Sequence, residues 1–412
     1  MSLEAKSSFE GVLPFIKGNV AVIVATLMIF RFSMSISYYY LTMFLIELGA
    51  TYEIVGIANG VALLVFSISS VIGGYLADTY GRYRVIITFT YLSVFASLIY
   101  ALAPSWHIVA LAMVIDNMVH LHMPAVQAIL ADSIPVEKRG LTFSSVEAFV
   151  SIPSIAGPAL SGFLYGTYGV DGIRAGFIIF FLTGIVAAVL RQLYLKETLT
   201  EIRRRESLHR IETFPVAIKE TFETFKASAP TVKLMVFISS IYMFAINVAL
   251  PFYQVYALYE IGLDPLQWGI VGSIAWLSYI LAGIPVGLAI DKIGRRLMLV
   301  LTGLLMTVST IMFISFKAFM LITIANIGAY ISTLMGRSSS ISLITDYTPK
   351  KLRGRIHAIF IVTNNIASVP GGFLSGILYK MNPKYPFLTL MIIALISSLL
   401  CLLLKEAPIK EK

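Results

Sequence analysis

Cysteine is almost missing from this 412-residue chain, in which Cys401 is the only one. A single thiol excludes an intramolecular disulfide and any cysteine-based metal cluster. Its place in the last apolar run makes it a small buried core residue. Charge is scarce too: Asp, Glu, Lys and Arg make up 13% of the residues, where soluble domains carry about a quarter. No phosphate loop, nucleophile–base pair or His-rich metal cluster stands at catalytic spacing, so no enzyme and no cofactor is expected. What is present is apolar, with 58% hydrophobic residues and a mean hydropathy of +0.86. Such a chain dissolves in lipid and must satisfy its backbone polar groups inside helices. The first apolar run, from about Asn19, is longer than a signal-peptide core and reads as a retained helix.

The formal charge of +9 is a matter of distribution rather than of nucleic-acid binding. Lys and Arg gather in alternate loops, at Arg82 and Arg84, Lys138 and Arg139, Lys196 to Lys233, Lys292 to Arg296, Lys350 to Arg355 and the C-terminal tail. The intervening loops hold only Arg174, Lys317, Lys380 and Lys384. That asymmetry predicts a multi-pass protein of the cell membrane with both termini in the cytoplasm. A spanning helix needs about 20 apolar residues. Twelve runs qualify, at 20–46, 54–77, 85–103, 108–130, 142–165, 173–195, 233–259, 267–290, 297–316, 318–344, 357–379 and 386–404. The expected fold is therefore all-α, with an N-terminal six-helix bundle (1–195), a linker (196–232) and a C-terminal six-helix bundle with its tail (233–412). In the linker Phe214, Ile218, Phe222 and Phe225 recur at helical spacing, beside Arg203, Arg204, Arg205 and Pro215, which predicts an amphipathic helix on the membrane surface.

The two bundles repeat one another. Gly74-x-x-x-Asp78-Thr79-x-Gly81-Arg82-x-Arg84 returns 213 residues later as Gly287-x-x-x-Asp291-Lys292-x-Gly294-Arg295-Arg296. Asp132-x-x-Pro135-x-x-x-Arg139-Gly140 answers to Asp346-x-x-Pro349-x-x-x-Arg353-Gly354. The physical reading of the first pair is a tight helix–turn–helix at the membrane surface. Glycine allows close helix packing and a compact turn, and Asp and Arg pair at the polar boundary.

These motifs, in two six-helix halves, make the chain resemble a major facilitator superfamily transporter over essentially its whole length. The second loop fits the family pattern fully. The first departs from it, with Thr79 where a base is usual and Tyr83 displacing the second base to Arg84. The resemblance implies that Asp78, Arg82 and Asp132 form a charge network holding the outward-facing state, broken when the halves rock. By the same pattern Gly74, Gly81, Arg139, Gly287, Asp291, Gly294, Arg295, Asp346 and Arg353 become gating residues. Gly157-Pro158-x-x-Ser161-Gly162 resembles the helix-bending motif of the family's antiporters, with Ser161 replacing a glycine and Pro153 standing where another would be.

Ionisable groups inside apolar spans are costly and usually face a cavity or a partner. In the fourth span Asp116, His120, Met123 and Gln127 fall on one helical stripe, and a histidine one turn from a carboxylate suits proton transfer. In the first span Arg31, Ser35, Tyr38 and Thr42 form another stripe, with Arg31 the expected counter-ion of Asp116, either as a cavity pair or as a static packing pair. Glu147 shares a face with Ser151 and Ser154 and is read equally as a second proton site or a packing carboxylate. His122 points away from Asp116 and is read as structural. In the second half Asn247 and Gln254 share a stripe, as do Tyr330 and Arg337. Arg337, the only base read as buried there, is the candidate holder of an anionic or polar substrate group. Substrate contacts are thus expected from Arg31, Tyr38, Gln127, Asn247, Gln254, Tyr330 and Arg337, and proton coupling from Asp116, His120, Glu147 and Arg31.

The resulting expectation is a monomeric secondary transporter of a small organic solute, proton-coupled, working by alternating access, with Gly157 and Pro158 leaning it towards antiport and export. Proton-driven uptake of a sugar or organic anion, movement of a divalent metal using Asp116 and His120, and a non-transporting sensor on the same fold are the alternatives. No resident metal is expected, and the partners are substrate, protons and the lipid bilayer.

Overall fold

The computed structural model describes residues 17–134, 146–147, 149–199, 222–349 and 351–405. Among the described residues every regular element is helical. Eleven helices are long and apolar enough to cross a bilayer. They are α1 (Asn19–Glu47), α2 (Tyr52–Tyr80), α3 (Arg82–Ala101), α4 (Trp106–Asp132), α5 (Phe149–Tyr168), α6 (Val170–Tyr194), α7 (Pro230–Ile261), α8 (Pro265–Ile293), α9 (Arg295–Ser315), α10 (Phe319–Asp346) and α11 (Arg353–Met381). The twelfth expected span is the shorter apolar helix α12, Tyr385–Cys401, of 17 residues. At 1.5 Å per residue it is about 26 Å long, a little under the ~30 Å hydrocarbon thickness.

The repeat read from the sequence recurs in the backbone. The turns between α2 and α3 and between α8 and α9 are made by Gly81 and Gly294, with φ of 98° and 97°. A side chain at either position would meet the steric penalty of the left-handed region. Helix α8 starts with a full capping box, in which Asp264 accepts from the Gln267 amide at 2.8 Å and Gln267 accepts from the Asp264 amide at 3.2 Å.

The chain forms two compact units, one from Met1–Gly49 and Ile68–Glu212, the other from Ala50–Ser67 and Thr213–Lys412. The first part of α2 thus packs with the second unit. In the first unit α6 lies against α1 and α3, around a core that includes Ile23, Val85, Ile86, Val126 and Ile129. In the second unit α9 lies against α10 and α12, and α7 against α11 and α12. Cys401 is a free, buried member of that core, beside Val236, Leu299 and Leu343. Of the linker, Phe222 and Phe225 lie in a described helical turn, with Phe225 packed on the second core. Phe214, Ile218, the three arginines and Pro215 lie outside the described residues.

Several helices break where prolines or polar residues stand. Helix α4 passes through a 3₁₀ turn at His120–His122 ahead of Pro124. Helix α5 does so at Ile152–Ile155, which includes Pro153. Helix α7 tightens at Leu250–Phe252 around Pro251, and α1 is interrupted between Ser37 and Leu41. Proline lacks the amide that would close the preceding turn, and each break leaves backbone groups for side chains to use. Ser161 donates to the Ile36 carbonyl at 2.7 Å, beside the interruption of α1.

Candidate functional site

The charged side chains of the first unit pair differently from the sequence expectation. Arg31 does not meet Asp116. Its Nη2 donates to Glu147 Oε1 at 2.9 Å, with the side chains 39% and 49% exposed. Asp116 is 4% exposed and accepts at Oδ2 from the Tyr38 hydroxyl at 2.9 Å. The expected Arg31–Asp116 ion pair is therefore corrected to two separate sites, an open ion pair between α1 and Glu147, two residues ahead of α5, and a buried carboxyl between α1 and α4. The α1 interruption starts at Tyr38 and swings its phenol to Asp116. The Tyr38 ring is held edge-on by Tyr100, Phe177 and Phe180, at centroid distances of 5.9, 5.4 and 6.0 Å. The hydroxyl of Tyr38, expected to touch substrate, is engaged by Asp116.

His120 does lie beside Asp116. Its Nδ1 stands 2.8 Å from the Asp116 backbone carbonyl and 3.4 Å from Asp116 Oδ1. A carbonyl only accepts, so a proton sits on Nδ1. Oδ1 of Asp116 is buried without a hydrogen-bond partner. The 3₁₀ turn beginning at His120 breaks the 100° register, so the expected stripe does not continue and Gln127 lies exposed with no link to Asp116. His122 is buried and bonds back to the Val119 carbonyl at 3.1 Å, its ring 6.0 Å from that of His120.

One buried base escaped the sequence reading. Arg191, near the end of α6, is 1% exposed. Its Nε donates to Thr26 at 3.1 Å and its Nη1 to Thr90 at 2.8 Å. The guanidinium carbon lies 4.9 Å from the Phe30 ring centre. Among the described residues it has no carboxylate partner. In sequence a base three residues from a helix end reads as a side chain reaching for the headgroups. Only the meeting of α1, α3 and α6 shows otherwise.

Gly157 and Pro158 open the α-helical part of α5, immediately after the 3₁₀ turn. A Cβ at Gly157 would be 2.5 Å from Ser35 Cβ, so this glycine sets the approach of α5 to α1.

The two loops expected to gate are unequal. In the second unit Arg295 reaches Asp291 at 3.2 Å and Asp346 at 3.1 Å. In the first unit Arg82 pairs with Asp132 and also donates to the Ala128 carbonyl at 3.3 Å and to Thr198 at 3.1 Å. Among the described residues the Arg82–Asp132 pair is present and no ion pair of Asp78 is seen, which departs from the implied three-residue network. Glu197, just past α6, closes the turn instead by accepting from the Tyr83 amide at 2.9 Å. Arg353 donates to the Thr348 carbonyl at 3.2 Å, and Arg139 lies outside the described residues. Gly74 and Gly287 face open space. The close packing expected of them falls to Gly73, whose Cβ would stand 2.7 Å from the Leu121 carbonyl carbon.

In the second unit several polar residues of α7 and α11 bond to one another. Asn247 donates to the Met243 carbonyl at 2.8 Å and to Ser368 at 3.0 Å, while Ser239 donates to Asn364 at 2.9 Å. Gln254 keeps a buried, unpartnered Oε1. Tyr330 meets Trp276 edge-on, with ring centres 5.6 Å apart. Arg337 is exposed rather than buried, a correction that follows from the face of α10 on which it stands.

Two runs of long apolar helices with ionisable groups held inside them define a polytopic membrane protein of the transporter class. The family model of the Major Facilitator Superfamily matches residues 23–256 and 234–412, and the chain belongs to that family. It is 24% identical over 345 residues to "Multidrug resistance protein 2" of Bacillus subtilis (strain 168), covering 81% of this chain and 82% of that one. It is 32% identical over 151 residues to a "Na(+), Li(+), K(+)/H(+) antiporter" of Planococcus maritimus, covering 34% and 35% of the two chains. Among solved structures, a D-xylose–proton symporter matches with a TM-score of 0.73 at 15% identity, over 97% of this chain and 100% of that one. At that identity the likeness is one of fold.

Proposed function

We propose that this family member exports a small organic solute in exchange for protons, working as a monomer by alternating access. The observation that carries the reading is the buried Asp116 carboxyl. It has one firm hydrogen bond, from Tyr38, and an unpartnered Oδ1 beside His120. Such an oxygen can take and release a proton without breaking the packing around it, because Tyr38 stays bonded to the other oxygen. Similarity to a multidrug resistance protein and to a cation/proton antiporter supports exchange with protons. The alternate-loop distribution of Lys and Arg supports a cell-membrane protein with its basic loops and both termini in the cytoplasm. Arg31, Gln254, Tyr330 and Arg337 are the remaining candidates for substrate contact, Asn247 being engaged with α11.

A second assignment of the proton site rests on the Arg31–Glu147 pair. Protonating Glu147 would neutralise it and release Arg31 for substrate. The metal-cargo reading needs further ligands beside Asp116 and His120. Among the described residues no three His, Cys, Asp or Glu side chains gather.

The test is electrical. Wild type, Asp116→Asn and Glu147→Gln are reconstituted in supported proteoliposomes and given a solute panel with and without a pH gradient. Solute currents driven by the gradient are expected in wild type and absent in Asp116→Asn. Their survival in Asp116→Asn with loss in Glu147→Gln would move the proton to the ion pair. Radiotracer flux, which also detects electroneutral exchange, decides the case of silent wild-type currents.

A further inference from the structure

Arg337 stands where a charge is costly. It lies nine residues before Asp346, the last residue of α10, about 13 Å along the helix axis, and its side chain is exposed. Among the described residues of the second unit it is the only charged side chain more than four residues inside a helix. No hydrogen bond or ion pair among the described residues engages it. A guanidinium at that depth is strongly disfavoured against lipid, so it faces water.

Tyr330, seven residues earlier, shares its face of α10, because seven residues fall about 20° short of two full turns. The Tyr330 ring meets Trp276 of α8 edge-on, and Trp276 in turn meets Tyr279, both with ring centres 5.6 Å apart. Helix α8 packs along α10. The two run the same way, since Val286 and Ile290, further along α8, share a core cluster with Met335, further along α10. Seven residues past Trp276 comes Gly283, where a Cβ would meet no atom within 4 Å. The pair of helices thus presents two levels about 10 Å apart, with three aromatic rings at one and Arg337 beside open space at the other. The exposed Leu277, Leu281, Ile284 and Leu288 fall on another side of α8, about 100° round from this line, which is the face left to lipid.

We propose that Trp276, Tyr279, Gly283, Tyr330 and Arg337 form the binding site of a flat aromatic carboxylate. The guanidinium holds the carboxylate through two parallel N–H donors, and the three rings pack on the ring of the ligand. Side chains on a helix lean towards its N-terminus, so Arg337 reaches back towards the rings. A two-ring acid such as 2-naphthoate covers the remaining distance, in the room that Gly283 leaves. A cation of the same shape is rejected, because Arg337 repels it and no acid among the described residues of this unit stands as deep in a helix. The inference rests on the transport reading above and gives its solute a class, but its test reads binding rather than movement.

Equilibrium dialysis of the full chain in detergent micelles measures it, with 2-naphthoate and its planar cationic counterpart 2-naphthamidinium as probes and empty micelles as the blank. The acid is expected to bind about tenfold or more tighter than the amidinium. Arg337→Gln should weaken it about 10- to 100-fold, the scale of a hydrogen bond between charged groups, with Arg337→Lys in between. Trp276→Leu should weaken it about fivefold. Gly283→Leu extends into open space and should abolish binding while Arg337 keeps its charge; if that variant does not fold, Arg337→Gln decides alone. No retention of the acid above the blank, equal retention of the two probes, or retention unchanged in Arg337→Gln would overturn the proposal. Gradient-driven flux of other solutes without naphthoate binding would sink this site and leave the transport reading standing. Naphthoate binding in a protein that moves no solute would do the reverse.

Discussion

Arg191 offers a prediction whose size follows from the hydrogen bonds around it. The guanidinium is 1% exposed and rests on two threonine hydroxyls and one ring. Thr90→Val keeps the shape of the side chain and removes the acceptor of Nη1. A buried cationic donor then loses a bond worth about 2 kcal/mol, roughly a 30-fold change in the folding equilibrium. Thr26→Val should cost a similar amount through Nε. Arg191→Met alone is expected to be near neutral, because relief of the buried charge offsets the two lost bonds. The decisive quantity is the coupling. In an Arg191→Met background Thr90→Val should be almost free, giving an interaction energy of about 2 kcal/mol in a double-mutant cycle. Equilibrium unfolding in mixed detergent–SDS micelles measures each corner, with Thr90→Ser as a control that keeps the hydroxyl. Equal costs for Thr90→Val in both backgrounds would falsify the bond and leave only steric packing.

Neighbouring glycines should behave oppositely. Gly73→Ala drives a methyl against the Leu121 backbone and is expected to destabilise by about 1–3 kcal/mol. Gly74→Ala faces open space and should be neutral or stabilising by up to about 1 kcal/mol, both read by the same unfolding assay. Arg31→Glu and Glu147→Arg should each abolish transport in the proteoliposome assay. The double exchange should recover part of it if their 2.9 Å pair is what matters. No recovery would mean that the groups act separately. Glu197→Gln weakens the anion that holds the Tyr83 amide and should speed hydrogen exchange at the Gly81 turn without altering that at Gly294.

The helices, their order and the twofold repeat were legible in the sequence because each is written locally. Apolar runs, turn glycines and alternating basic loops do not depend on what lies far away. The turns at Gly49, Gly81, Gly262 and Gly294 even repeat their backbone angles, at φ of 92°, 98°, 88° and 97°. Partnerships were not legible to the same degree. Pairing Arg31 with Asp116 assumed straight helices, whereas the interruption of α1 at Tyr38 and the 3₁₀ turn at His120 re-aim both stripes. Asp116 and His120, one turn apart before that break, were placed together correctly. Arg191 was invisible because its acceptors come from α1 and α3, 165 and 101 residues away.

The carboxylate that closes the Gly81 turn has a consequence for how this loop can vary. Glu197 comes from a segment 114 residues downstream of its Tyr83 partner, so the first loop is a discontinuous motif. Its chemistry is shared between two stretches that a local pattern sees as unrelated. The first loop is therefore held in part from outside itself, and α6 inherits a constraint on its length. One residue added or removed within α6, ahead of Tyr194, would turn the segment that carries the carboxylate about 100° around the helix axis, and the turn would lose its anion although no residue of the turn had changed.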